Sequence, residues 1–413
     1  MRATSLLRKL LGITFLFVRG VDLQQGSKII ADVRPRWRRP RCGVCGRTCP
    51  GYDTLPARYW RHLGPGNVTI WLRYAPRRVH CADCGVKTEE LPWAASAKTG
   101  FTKDFEETVA YLAQITDKTT VCKLAAIAWR TVGRIVERVV DTRLDPDRLV
   151  GVRRIGIDEF SYRKRHRYIT VVVDHDRGRV IWAAKGKSSE VLEQFFDALG
   201  EEGCKLLEYV TIDMSAAYEK AVRARAPQAE IAFDRFHVQA LASSAVDDVR
   251  RKLVRDLQGI DESKAVKKSR WVLLKNPWNL TQKQRLKLSE IQRTNKPLYR
   301  AYLLKEELAR ALDYRQLGRA REAMDNWIAW ASRSKLKPFV KLARTIKKHK
   351  EDILRYVKLR LTNAIVEGIN NRMRMVARRS YGFHGAKPLM AMLFLCCGGL
   401  TLDPPLPSPG QPT

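Results

Sequence analysis

The amino-acid sequence predicts a multidomain α/β protein. Three observations predict it. Short alternating runs, prolines and paired cysteines fill residues 1–97. Strand and helix signals alternate over 150–238, and residues 239–360 are long, charged and helical without a strand signal. A chain of 413 residues suggests two to four domains. Its 45% hydrophobic content supplies real cores and excludes wholesale disorder. Lys and Arg number 77 against 43 Asp and Glu, a formal charge of +34. That excess is spread along the chain and is of no use to an enzyme of small neutral metabolites. A polyanion must absorb it, and nucleic acid is the default polyanion.

No membrane span is expected. The longest apolar run, Leu389 to Leu400, is interrupted by Gly398 and Gly399. It is too short for about 30 Å of hydrocarbon. Leu10 to Val18 follows Arg8 and Lys9, but Arg19 comes next and no small-residue cleavage site is visible. The stretch reads as the start of a strand rather than a signal peptide. The nine cysteines are an odd number with two C-x2-C pairs, which favours metal binding in a reducing cytoplasm over disulfides.

The first pair is Cys42-Gly43-Val44-Cys45-Gly46 and the second is Cys81-Ala82-Asp83-Cys84-Gly85. Each turn aims two thiolates at one point, and the glycine after the second cysteine permits the positive φ the turn needs. Four sulfurs make a closed tetrahedral site for structural Zn²⁺. Cys49 is the nearest rival ligand and His80 a weaker one; Cys122, Cys204, Cys396 and Cys397 read as core thiols. Arg36 to Arg41 and Arg77 to His80 place basic residues beside the knuckles, which fits phosphate contact.

Phe105, Val109, Leu112 and Ile115 recur at spacings of three and four, marking a helix. A short helix over Thr120 to Ala126 and a third from Trp129 complete a helix-turn-helix pattern. Its third helix would be the recognition helix, turning Arg130, Thr131 and Arg134 to the major groove.

Arg154 to Phe160 reads as a buried strand bearing Asp158 and Glu159. Tyr168 to Val173 is a second strand, Asp174 to Gly178 a hairpin turn, and Val180 to Ala183 a third strand. A helix capped by Ser188 or Ser189 buries Leu192, Phe195, Phe196 and Leu199 and stops at Gly200. Tyr209 to Ile212 is a fourth strand ending at Asp213; a helix capped by Ser215 follows. Ile231 to Phe233 is a fifth strand ending at Asp234. This β-β-β-α-β-α-β order is that of the RNase-H-like fold, in which the first and fourth strands are neighbours. Asp158 and Asp213 would then lie side by side. Two such carboxylates repel unless a cation separates them, usually Mg²⁺ or Mn²⁺. Two ions about 3.5–4 Å apart stabilise the attacking and leaving oxygens of a phosphoryl displacement.

The candidate third carboxylate is Glu367, on a helix whose buried stripe is Ile365, Ile369, Met373 and Val376. Asn371, Arg374 and Arg378 share the face of Glu367, so a metal ligand is followed by phosphate-reading groups. Glu159 and Asp234 are its rivals. Strand alternation points Glu159 away from Asp158. Asp234 and His237 are secondary candidates that would shape the site or hold a DNA strand. Trp271, Trp278, Trp327 and Trp330, in the helical stretch, read as core before base-stacking wedges.

Together these motifs resemble the ISL-three group of bacterial insertion-sequence transposases, in the DDE superfamily. The resemblance covers about residues 12–395. It rests on both knuckles, the second running on to Leu91-Pro92-Trp93-Ala94, and on Ile157-Asp158-Glu159-Phe160 and Thr211-Ile212-Asp213-Met214-Ser215. It rests also on Phe233-Asp234-Arg235-Phe236-His237 and Thr362-Asn363-Ala364-Ile365-Val366-Glu367-Gly368. It implies a zinc-binding domain over 1–97 and a helix-turn-helix domain over 98–148, which recognise terminal inverted repeats. It implies an RNase-H-like catalytic domain over 150–238 and 361–400, interrupted by a helical insertion over 239–360. It assigns the acidic triad to Asp158, Asp213 and Glu367. The Pro-rich stretch 401–413 is expected to be a disordered tail. The implied activity is Mg²⁺-dependent (or Mn²⁺-dependent) DNA cleavage and strand transfer. The implied partners are double-stranded DNA at element ends and target, and further copies of the chain in a homodimer or higher oligomer on DNA. The expected location is the cytoplasm, at the nucleoid. The rival readings are a catalytically inactive zinc and helix-turn-helix regulator and a nuclease of the same fold.

Overall fold

The computed structural model describes residues 3–25, 27–95, 98–163, 167–233, 235–257, 266–358, 363–379, 383 and 385–405. The chain divides into two compact units. The first comprises Met1–Leu144, Arg379–Tyr381 and Ala391–Thr413, and the second Asp145–Arg378 and Gly382–Met390.

The first unit opens with a helix, α1 (Ala3–Leu11), then β1 (Leu16–Gln24) and β2 (Lys28–Pro35). The expected strand start at Leu10 is corrected here. Leu7 and Leu11, one helical turn apart, bury one face of α1, and Gly12 ends it at a φ of +63°. The strands β3 (Gly51–Thr54), β4 (Arg58–His62), β5 (Thr69–Tyr74), β6 (Arg77–Cys81) and β7 (Gly85–Thr88) follow. They form two sheets, ordered β1-β2-β5-β4 and β3-β6-β7. The larger sheet has its own core of Leu16, Val33, Trp60, Leu72 and Trp93, with Trp93 edge-on to Trp60 and Tyr74.

Three helices complete this unit: α2 (Lys103–Ile115), α3 (Lys118–Ala125) and α4 (Trp129–Arg143). Thr102 caps α2 and Asp117 caps α3 through side-chain oxygens. The tight turn into α4 passes through Ala126 at a φ of +47°. The buried Glu106 of α2 accepts Arg138 of α4 at 2.6 Å. The tail expected to be disordered is ordered at its start. Leu402 is buried and the Asp403 N–H donates to Glu107. Residues 406–413 lie outside the described ones.

The second unit is built on β8 (Arg154–Arg163), β9 (Arg167–Asp174), β10 (Arg179–Lys185), β11 (Tyr209–Ile212) and β12 (Glu230–Phe233). Their order is β10-β9-β8-β11-β12, the first three antiparallel and the last two joined in parallel to β8. The helix α5 (Ser189–Leu206) does not stop at Gly200. It kinks there, at a φ of +76°, and resumes, because Cys204 and then Leu207 still have core to bury. The helix α6 (Ala216–Arg225) connects β11 to β12.

A helical array follows: α7 (Arg235–Asp256), α8 (Arg270–Leu274), α9 (Gln282–Thr294), α10 (Lys296–Asp313), α11 (Leu317–Arg333), α12 (Lys337–Lys348) and α13 (Lys350–Lys358). One apolar core runs from Phe195 and Phe233 at the sheet to Leu304, Met324, Trp327 and Phe339 in the helices. The helix α14 (Asn363–Arg379) buries Ile369, Met373 and Val376, three of its four expected stripe residues. The side chain of the fourth, Ile365, is outside the description. The last helix is α15 (Ala386–Cys397). Among the described residues, no helix is long and apolar enough to cross a membrane.

Each unit contains a buried neutral histidine. In the first, His62 Nδ1 lies 2.8 Å from Thr102 Oγ1 and Nε2 lies 3.2 Å from the Leu11 carbonyl. In the second, His175 Nε2 lies 2.7 Å from Thr211 Oγ1. Burial lowers both to about 4 from a model-compound value of 6.5. Between those values the unfolded chain binds more protons, so stability is full above about pH 6.5 and falls as pH drops towards 4. The expected slope is at most about 1.4 kcal/mol per pH unit for each histidine. Urea unfolding from pH 7 to 5 should show it, and His62→Gln should flatten it. An unchanged slope in that variant would remove His62 from the account.

Candidate active site and nucleic-acid interface

The pairing of β8 with β11 sets the geometry. Tyr209 lies opposite Arg154, Val210 opposite Ile155 and Thr211 opposite Gly156. Continued two residues, that register brings Asp213 level with Asp158. Each aspartate is held by a local backbone bond: Asp158 Oδ1 accepts the Glu159 N–H at 2.7 Å and Asp213 Oδ1 accepts the Ser215 N–H at 3.0 Å. His237, on the first turn of α7, sets its Nε2 3.8 Å from Asp158 Oδ1. Burial pushes the Asp213 carboxyl up; the positive field of His237 pulls it down and the Asp158 charge pushes it up again. A half-buried carboxylate repelled by a neighbour fits a cation between them.

Glu159 feels the charges of both Asp213 and Asp158. It hydrogen-bonds Tyr218 of α6, whose hydroxyl lies 3.0 Å from Thr170 Oγ1. Burial raises its carboxyl. Sequence reasoning missed Tyr218, which reads as an ordinary core aromatic. Glu367 lies on α14, but its side chain is outside the described residues, as is Asp234 altogether. Asn371, Arg374 and Arg378 are exposed on α14. A cleft of 520 Å³ opens beside Asp213, lined by His237, Ser244, Asp248, Lys341 and Thr345 among others. Its Lys341 is a cation that no motif pointed to.

In the first unit, the sulfurs of Cys42, Cys45, Cys81 and Cys84 all lie within 4.8 Å of one another. Gly46 and Gly85 take φ values of +75° and +71°, the left-handed turns expected after each knuckle. Backbone N–H groups of Cys84 and Asp83 donate to the Cys81 sulfur and lower that thiol to about 6. A bond to Cys45 and burial push Cys84 up to about 12. Four crowded sulfurs, one already poised as thiolate, fit Zn²⁺. Cys49 packs against the cluster, bonds the Cys81 sulfur and donates to the Arg47 carbonyl 3.3 Å away, but is not one of the four mutually close sulfurs, and His80 is exposed. On α4, Arg130 and Arg134 are exposed and Thr131 half-buried, while Val132, Ile135 and Val136 face inward.

A second cluster, Glu219, His349 and Asp352, also has ligand atoms within 4.8 Å. Arg223 binds Glu219 at 3.0 Å, and Arg355 binds Asp352. These guanidiniums already neutralise both acids, so the cluster serves to dock helices.

Residues 155–393 match a family described as transposase, and residues 89–140 match the helix-turn-helix domain of transposase family ISL3. The chain is 38% identical to the transposase for insertion sequence element IS1557 of Mycobacterium tuberculosis, over 97% of this chain and 96% of that protein. It is 32% identical to the transposase for insertion sequence element IS1001 of Bordetella parapertussis, over 87% of this chain and 89% of that one.

Gly156 makes the strand pairing possible. A Cβ there would lie 2.8 Å from His175 Cε1 and 2.9 Å from Thr211 Oγ1. Gly156→Ala should therefore overpack the β8–β11 seam and cost about 1–3 kcal/mol. Urea unfolding measures this, and a neutral substitution would show that the seam yields.

Proposed function

The chain belongs to the ISL3 family of transposases, and from that premise we propose that it binds terminal inverted repeats and catalyses metal-dependent phosphodiester hydrolysis and strand transfer. The observation that carries this reading is the parallel register of β8 and β11, which, continued two residues, brings Asp213, just past the end of β11, level with Asp158. The strand order supports an RNase-H-like catalytic domain. Glu367 is proposed as the third ligand. Mg²⁺ or Mn²⁺ on these carboxylates would supply Lewis acidity and an activated oxygen nucleophile.

The residues themselves do the rest. Asp158 and Asp213 hold ligand oxygens in place through their backbone bonds. His237 shields Asp158 and offers a donor to DNA, with Asp234 beside it in the chain. Arg374 and Arg378 meet phosphates, and Arg130, Thr131 and Arg134 read base edges at the element ends. Glu159, tied to Tyr218, supports the strand rather than the reaction. The active form is a homodimer or higher oligomer on DNA.

Cleavage assays on end DNA with Mg²⁺ test this. Asp158→Asn, Asp213→Asn and Glu367→Gln should each lose cleavage by orders of magnitude, while gel shifts with the same DNA stay unchanged. Glu159→Gln should lose less. If Glu367→Gln cleaves like wild type, Asp234 becomes the better third ligand; if none of the three matters, the phosphoryl-transfer reading fails.

Zn²⁺ on Cys42, Cys45, Cys81 and Cys84 is proposed to hold the first unit for DNA, since binding energy at such a site is folding energy. Elemental analysis should find about one zinc per chain. Cys84→Ser should lose it and melt at lower temperature; a variant that kept both metal and melting point would overturn the assignment.

A further inference from the structure

The helical array uses its four tryptophans in two ways. Trp327 is 2% exposed and donates its Nε1 hydrogen to the Leu304 carbonyl at 2.7 Å, and Trp330 packs on the same core. Trp271 and Trp278 are instead 63% and 71% exposed. An indole can bury about 150–250 Å², so presenting two to water forgoes a large stabilisation.

The backbone beneath them is fixed. Val272, Leu273 and Leu280 are buried anchors on either side. Pro277 starts a single 3-10 turn carrying Trp278, and Thr281 with Gln284 forms a capping box that starts α9. Lys275 Nζ reaches Gln284 Oε1 at 3.4 Å across the turn. The Arg270 guanidinium stacks 5.2 Å from the Trp271 ring and lies 3.8 Å from Asp247. The surroundings are strongly basic: Lys267, Lys268, Arg270, Lys283 and Arg285 are exposed, and Glu290 is the one acid between Val266 and Lys296.

Rigid, exposed indoles in a basic field fit one ligand chemistry. Unpaired bases offer π-faces to stack on while their phosphates meet the cations. Duplex DNA hides those faces, and a second copy of this surface would bring like charges together. We propose that Trp271 and Trp278 form a stacking platform for unpaired DNA, such as strand ends freed or splayed at the element terminus. The inference rests on the transposase reading for the identity of the DNA.

The test uses full-length zinc-loaded protein without added Mg²⁺, and fluorescence anisotropy with two probes. One is oligo-dT of about 12 nucleotides; the other is blunt duplex of the element end. Trp271→Ala with Trp278→Ala should weaken oligo-dT binding at least about tenfold, the loss expected from removing a stacked base, and leave duplex binding within about twofold. Trp271→Phe with Trp278→Phe should keep most of the affinity. Unchanged oligo-dT binding, or equal losses on both probes, would overturn the platform. Wild type that binds oligo-dT but not the duplex would overturn end binding and support the platform.

Discussion

The parallel seam between β8 and β11 is the constraint on which the second unit depends. Its register, continued two residues, brings two acids level, and burial together with the charge of Asp158 raises the carboxyl of Asp213. A sheet pays for such a seam with its packing elsewhere, and here apolar residues of α5 and α6 and the absent Cβ of Gly156 make it possible. His175 closes over that glycine and binds Thr211, one strand over, so the seam is fastened within two residues of Asp213. The helical array shares the sheet's core, so the positions of α7 and of the sheet are mechanically one matter within this unit.

The first unit solves a different problem. Its four-stranded sheet has tryptophans and aliphatics to bury, but the three-stranded sheet does not. The small cluster there consists of Cys42, Cys49, Val79 and Cys81, with Cys84 packed against it. Cysteines are most of that core. So little apolar surface cannot offset the entropy of ordering three short strands, and a metal held by the four cysteines would supply what the core lacks. The buried Glu89, bound by Arg77 and Tyr74, ties the same small sheet to the larger one.

Much of this was legible in the sequence because the signals were local. β-Branched runs bounded by turn residues marked β9 and β11, and the paired knuckles marked four sulfurs that do converge. The misses were of another kind. The apolar run at Leu10 did not reveal that Gly12 divides it between a helix and a strand. Gly200 looked like a stop because the core beyond it, at Cys204 and Leu207, is a tertiary fact. Trp271 and Trp278 carry the same apolar signal as Trp327, and only packing separates them. Gly156, His175 and Tyr218 were silent because their roles arise from neighbours across strands. Asp158 and Asp213 could be singled out because the fold order, once read, makes the first and fourth strands neighbours. Glu367 and Asp234 rest on the sequence pattern, with the side chain of the one and the whole of the other outside the described residues.

The junction between β4 and α2 has a consequence for engineering. Thr102 caps α2 with the same hydroxyl that meets His62, and His62 in turn reaches the Leu11 carbonyl at the end of α1. Arg61 donates to the Ala126 carbonyl in the turn before α4. The reader helices are therefore mounted on the β-region rather than strung from it. A chimaera that exchanged only residues 98–148 with those of another transposase would put both of these contacts that cross into the segment, His62 to Thr102 and Arg61 to Ala126, at risk. The transplantable module is the whole unit, including the C-terminal stretch whose Leu395 and Leu400 carbonyls accept from Gln114 of α2, and the helices would have to be moved with that foundation.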